Sequence, residues 1–214
     1  SIGLQFSPDG DSLLVSGPPT EIWDTDTLQT LKVLPFSAQL WSPDGNELTK
    51  FDSGPPGNMK IYSATDGHLL REFTASTAAA WGWPNFPLLS PNGDYFVMGV
   101  SNQLVLLDAI TGQQVGANYQ LNGDINSYSW SSDVTRIAIS LRKQVATEIE
   151  GSFPVGDSVG SYALNSTVLL ELATGTITTL RGGFRNPAPL LLWSPDDKYI
   201  ASWFDGYLHI MDSA

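Results

Sequence analysis

His68 and His209 are the only imidazoles in the chain, and there is no cysteine. A zinc or hydrolytic centre built on histidine needs several ligands on one face, or an imidazole held against a nucleophile. His68 follows an Asp-Gly turn and His209 falls in a strand-like run far along the chain, so neither setting arises. The lack of cysteine excludes thiolate metal sites, thiol catalysis and disulfides. Carboxylates recur instead: Asp9, Asp44, Asp133 and Asp196 share one local context. A calcium loop alternates its acidic ligands and closes with a distant bidentate Glu. Asp9 and Asp11 flank Gly10, but no such Glu follows, and turn formation explains these carboxylates better. Paired carboxylates for glycoside chemistry are assembled only in space, and nothing in the sequence selects a pair. No nucleophile elbow, phosphate loop or dinucleotide fingerprint occurs. The chain is read as a non-enzyme without a metal or cofactor site.

Long connections carry the better candidates for binding. The segment 78–89 brings Trp81, Trp83 and Phe86 together with Pro84 and Pro87. It reads as a rigid apolar contact patch, or as a plug over the core. Residues 142–165 include Phe153 and Tyr162, in a partner-binding flap or an extended hairpin. The run "RGGFRNPAP" supplies Arg181, Phe184 and Arg185. Arginine and aromatic residues are the usual anchors of protein interfaces.

The 214 residues are 42% hydrophobic and 15% charged, enough to bury a core and too apolar for disorder. The formal net charge is -12. Such a field repels phosphate backbones and anionic leaflets, so nucleic acid and membrane surfaces are not expected partners. No apolar run reaches the length of a membrane-spanning helix. A chain without bridges suits the cytoplasm or a bacterial extracytoplasmic setting, and localisation stays open between them.

The elements that carry these residues repeat. "FSPDG" (Phe6–Gly10) recurs as "WSPDG" from Trp41, "LSPNG" from Leu89, "WSSDV" from Trp130 and "WSPDD" from Trp193. Proline presets φ, Asp bonds its own backbone and Gly supplies φ > 0, so the phrase is a turn. Alternating apolar runs flank each copy ("DSLLVSG", "NELTKFD", "DYFVMGV", "TRIAISL", "KYIASWF"), the mark of half-buried strands. A second phrase follows ("EIWDTDT", "KIYSATDG", "VLLDAITG", "VLLELATG", "HIMDSA"), and after four of these comes another apolar run. The unit is a meander of four antiparallel strands, a to d, with the serine turn between a and b. Ser7, Ser42, Ser90, Ser131 and Ser194 are spaced by 35, 48, 41 and 63 residues. Their mean is close to the roughly 40–45 residues of a propeller blade. Phe6, Trp41, Trp130 and Trp193 repeat one position and are expected to fill space between blades.

On Ile22-Trp23-Asp24, the recurring Asp24, Asp108 and Asp212, and the serine turns, the sequence resembles the WD40 family along essentially its whole length. It departs from the family in lacking the Gly-His pair and in keeping the Trp of Trp-Asp only at Trp23. TolB-type and quinoprotein-type propellers share parts of the pattern, "LLDAITGQQ" suiting the latter. The resemblance implies an all-β propeller of four-stranded blades. Five repeat units are drawn at 1–28, 29–67, 68–112, 113–175 and 176–214, in one propeller region. In that family the d–a and b–c loops share a partner-binding face, which would hold Arg181, Phe184 and Arg185. Five a-b-c sets with only four d strands are expected of an excerpt of a six- to eight-bladed ring. An unusual five-bladed closure, or completion by another chain, are the alternatives. The function implied is a non-catalytic scaffold for a protein or peptide partner. A structural or surface assembly component is the alternative, ahead of a small-ligand or catalytic propeller with a site in its channel.

Overall fold

The computed structural model describes residues 3–52, 57–74, 87–145, 162–184, 190–204 and 206–214. All five serine turns close in the same way. The serine amide donates to the carbonyl five residues on. The amide there donates back to the serine Oγ, at 2.9 Å for Ser7, Ser42 and Ser131 and 3.0 Å for Ser90 and Ser194. The hydroxyl in turn donates to the side chain two residues on. The distance is 2.5 Å to Asp9 and Asp44 and 2.7 Å to Asn92, Asp133 and Asp196. The next residue is left-handed, a conformation that favours glycine. Gly10, Gly45 and Gly93 adopt it, but Val134 (φ 61°) and Asp197 (φ 53°) occupy the same place in the last two turns.

These turns generate nineteen strands and no helix among the described residues. The first sheet holds β1 (Leu4–Phe6), β2 (Ser12–Val15), β3 (Thr20–Asp24) and β4 (Thr30–Leu34). The second holds β5 (Leu40–Trp41), β6 (Glu47–Asp52), β7 (Asn58–Ser63) and β8 (Leu69–Thr74). The third holds β9 (Leu88–Leu89), β10 (Tyr95–Val100), β11 (Gln103–Asp108) and β12 (Tyr119–Gln120). The fourth holds β13 (Asp124–Trp130), β14 (Arg136–Val145), β15 (Tyr162–Glu171) and β16 (Ile177–Phe184). The fifth holds β17 (Leu191–Trp193), β18 (Tyr199–Phe204) and β19 (Tyr207–Asp212). Within each sheet neighbours in space are neighbours in sequence. The sheets reproduce the a-b-c-d meander, with four strands in four sheets and three in the fifth. Each d strand pairs with the c strand before it, so the first four sheets each end one strand later than the repeat unit drawn from the turns.

By contacts the chain divides into two compact units, Ser1–Met98 with Leu106–Gly116, and Gly99–Val105 with Ala117–Ala214. In the first unit, Leu14, Ile22 and Leu34 of the first sheet pack against Ala38, Trp41 and Leu48. In the second unit, Ala138 and Leu169 of the fourth sheet pack against Leu191, Ile200, Phe204 and Met211 of the fifth. Period-2 alternation thus sends one row of the second sheet against the first, and one row of the fifth against the fourth. Burying one such aliphatic side chain contributes about 2 kcal/mol.

Side-chain clasps tie consecutive sheets together. In the second to fifth sheets, the carbonyl two residues beyond the Trp-Asp tryptophan position accepts a bond from the sheet before it. Lys32 Nζ donates to Ala64 at 2.8 Å, and also to the Thr65 carbonyl. Arg71 Nε donates to Ala109 at 3.3 Å and Tyr119 Oη to Leu172 at 3.2 Å. Arg136 Nη1 donates to Ser213 at 2.9 Å. Each clasp satisfies a backbone carbonyl just past a c strand.

Candidate functional site

Among the described residues the turn aspartates are engaged locally. Asp9, Asp44 and Asp133 lie below the ordinary carboxylate range, chiefly because of their serine hydroxyls. The same contact, with Lys198, lowers Asp196 to about 2. In the c–d turns, Thr27 and Thr111 lower Asp24 and Asp108 by backbone and hydroxyl bonds, and Ser63 and His68 bring Asp66 to about 2. His68 Nδ1 lies 2.5 Å from Asp66 Oδ1. His209 is stacked on Phe204, ring centroids 3.7 Å apart, in the fifth sheet. Among the described residues no three His, Cys, Asp or Glu side chains converge on a metal position. Likewise no helix there is long and apolar enough to cross a membrane.

The fourth sheet departs most from the repeat. Pairing of b with c ends at Val15–Glu21, Asp52–Asn58 and Phe204–Tyr207 in the first, second and fifth sheets. In the fourth it runs from Arg136–Glu171 out to Val145–Tyr162, ten residues in each strand. The described part of 142–165 is therefore extended hairpin, not loop. Arg142 and Lys143 are exposed on it. Arg181 is exposed on β16 opposite Thr167, two rows from Arg142, which pairs with Asn165. Register puts Arg142 and Arg181 on the same side of the sheet. On the other side of the sheet, that of Lys143, a groove of about 410 Å³ is lined by Gln120, Leu141, Lys143, Leu164, Val168 and Thr179.

Of the residues singled out from the sequence, Arg181 and Phe184 lie in β16, not in a d–a loop. The strand continues to Phe184 because a bulge between Asn165 and Ser166, with Gly183 at φ 89°, keeps it paired. Tyr162 begins β15 opposite Val145. Trp81, Trp83, Phe86, Phe153 and Arg185 lie outside the described residues. Trp41 and Trp130 are buried and Trp193 is half-buried against the fifth-sheet core, as a packing role requires. Phe6, at the same repeat position, is exposed, because in the first sheet that face is uncovered.

Sequence reasoning missed the polar junction between the fourth and fifth sheets. Asp197 accepts from the Ser132 amide (2.9 Å), the Ser132 hydroxyl (2.6 Å) and the Asp133 amide (3.1 Å). Arg136 Nη2 donates to the Asp197 carbonyl at 2.9 Å, and the guanidinium lies 5.1 Å from the Trp193 ring centroid. The signal was Asp197 standing where the turn calls for glycine.

No protein-family model matches the chain, and no curated protein matches it. Among solved structures it is similar to hydrazine synthase of Kuenenia stuttgartiensis, a β-propeller-containing protein, with a TM-score of 0.71 and 19% identity. The match covers 98% of this chain and 63% of that one, so this chain spans less than two thirds of its length. At that identity the likeness concerns the fold alone. With the five antiparallel sheets, it establishes an all-β propeller fold.

Proposed function

We propose that this chain is a divergent WD40-like propeller region acting as a non-catalytic scaffold, with a protein or peptide partner held at the extended hairpin of the fourth sheet. The carrying observation is that hairpin: b–c pairing continues to Val145–Tyr162, where the fifth sheet stops at Phe204–Tyr207. It also bears exposed Arg142 and Lys143, with exposed Arg181 on the adjoining strand, in a chain whose net charge is -12. Arg142 and Arg181 on one side of the sheet favour an acidic peptide segment, while the net negative charge of the molecule disfavours nucleic acid or a membrane. On the hairpin's other side, Lys143 lines a groove with Leu141, Leu164 and Val168, which offers such a segment one cation and apolar contacts. The recurring aspartates are bonded within their own turns, which supports a structural use for them.

The test compares proteins captured by the chain with those captured by Arg142→Glu/Arg181→Glu and by a variant whose residues 143–164 are replaced by Asn-Gly. The same captured proteins should be lost in both variants, and their binding to the unaltered chain should weaken with salt. Capture profiles unchanged in both would remove the hairpin as the site.

A further inference from the structure

Asn-Gly occurs twice in the chain, at Asn92–Gly93 and Asn122–Gly123. Glycine has no Cβ to shield its amide nitrogen, so an asparagine carboxamide just before it is open to attack from its own backbone. The attack requires the carboxamide to turn onto that nitrogen, and so requires both groups to be free of other bonds. Asn92 and Asn122 are both exposed, and access to solvent does not separate them. Hydrogen bonding does.

Asn92 stands at the aspartate position of the third serine turn. Ser90 Oγ donates to its Oδ1 at 2.7 Å, and the Asp94 amide donates to the same atom at 3.2 Å. Asn92 Nδ2 donates to Asp94 Oδ2 at 2.6 Å. The Gly93 amide is engaged as well, donating to the Ser90 carbonyl at 2.9 Å. The turn thus holds both reacting groups. Asn122 and Gly123 lie instead in the link between β12 and β13. Residues on either side are pinned: the Leu121 amide donates to the Asn102 carbonyl at 2.8 Å, the Ile125 amide donates to the Ser101 carbonyl at 3.0 Å, and both side chains are buried. Between them, among the described residues, neither the Asn122 carboxamide nor the Gly123 amide makes a hydrogen bond.

We propose that Asn122 is a site of spontaneous modification, where the folded chain converts asparagine to aspartate and isoaspartate, while its turn protects Asn92. The Gly123 amide nitrogen gives its proton to hydroxide and attacks Asn122 Cγ. The bond from Cγ to Nδ2 breaks, and Nδ2 takes up a proton and leaves as ammonia, closing a cyclic succinimide. Water then opens the ring. Addition at Cγ gives aspartate, and addition at the main-chain carbonyl gives isoaspartate. Water is consumed, ammonia is released, and nothing is oxidised or reduced. Either product places a new carboxylate at Asn122, in the groove that Lys143 also lines. The reaction needs no partner and is independent of the scaffold function.

Peptide mapping by mass spectrometry after incubation at mildly alkaline pH tests it, with isoaspartate read separately by enzymatic methyl labelling. In the folded chain Asn122 should convert, faster as pH rises, with isoaspartate among the products. Asn92 in the same molecules should react at least about tenfold more slowly, because it is reached only when its turn opens. In concentrated urea the two should react at similar rates, since the turn no longer holds Asn92. Asn122→Gln should abolish the change at that position, because the longer side chain closes a less favourable ring. The proposal is overturned if Asn122 stays intact in the folded chain while the unfolded chain reacts, or if Asn92 reacts as fast as Asn122 in the folded chain.

Discussion

Replacing Asp197 should weaken the junction of the fourth and fifth sheets more than an ordinary turn substitution would. Its carboxylate accepts three bonds, from the Ser132 amide, the Ser132 hydroxyl and the Asp133 amide, and the residue is 7% exposed. A hydrogen bond to a charged group contributes about 1.5–3 kcal/mol when sheltered. Ser132 and Asp133 are themselves exposed, so water replaces part of what is lost. Asp197→Ala should therefore destabilise the chain by about 2–3 kcal/mol. Asp197→Gly loses the same bonds but relieves a left-handed backbone, which returns about 1 kcal/mol. Asp197→Asn keeps one acceptor and tolerates that backbone, so it should cost least. Urea unfolding with unchanged m-values measures the order Ala, Gly, Asn. Burial pushes the Asp197 carboxyl up, and the bonds from Ser132 and Asp133 outweigh it, leaving its pKa below the ordinary value of 3.8. Its contribution is then complete above that value and is lost as pH falls through the lower, folded one. The gap between the unaltered chain and Asp197→Asn should close in acid. A loss on Asp197→Ala below about 0.5 kcal/mol at neutral pH, the scale of a plain surface change, would refute the reasoning. So would an acid-insensitive gap.

Three further outcomes follow from the same geometry. Gly112 has φ 69°, and a Cβ there would come within 2.5 Å of Phe73 Cγ; Gly112→Ala should cost about 2–4 kcal/mol, read as a lower denaturation midpoint. Arg71 meets Glu47 through two parallel bonds of 2.7 and 2.6 Å while clasping Ala109; Arg71→Ala should cost about 1 kcal/mol, and Arg71→Lys should not restore it, because the fork is lost. The turn aspartates sit below their ordinary value, with Asp66 and Asp196 at about 2. Stability should therefore hold above about pH 4 and fall towards pH 2 as they take up protons, and a Tm flat across that window would contradict the turn assignment.

The fold was legible because its signal is local and repeated. The serine turn needs particular residues at fixed offsets, and the strands beside it need only alternate, so five copies could be aligned and their strands counted. The clasps were not legible, since their acceptors are backbone carbonyls and their donors, Lys32, Arg71, Tyr119 and Arg136, keep neither one residue type nor one strand position. Phe6 could not be told from Trp41 by pattern, because the two differ only in whether a neighbouring sheet covers them. At Arg181 and Phe184 the glycine-rich run read as a connection, while a bulge allowed β16 to extend through it. The long b–c segment was visible from its length, but only the register shows that its base is paired strand.

The equivalence of the sheets is tested most directly by nuclear Overhauser contacts across the b and c strands. The account predicts cross-strand contacts at the same repeat position in four sheets, between Leu13 and Trp23, Leu48 and Tyr62, Ile137 and Leu170, and Ile200 and Met211. Sequential amide–amide contacts of helical type through these segments, or pairings displaced by one residue, would contradict it.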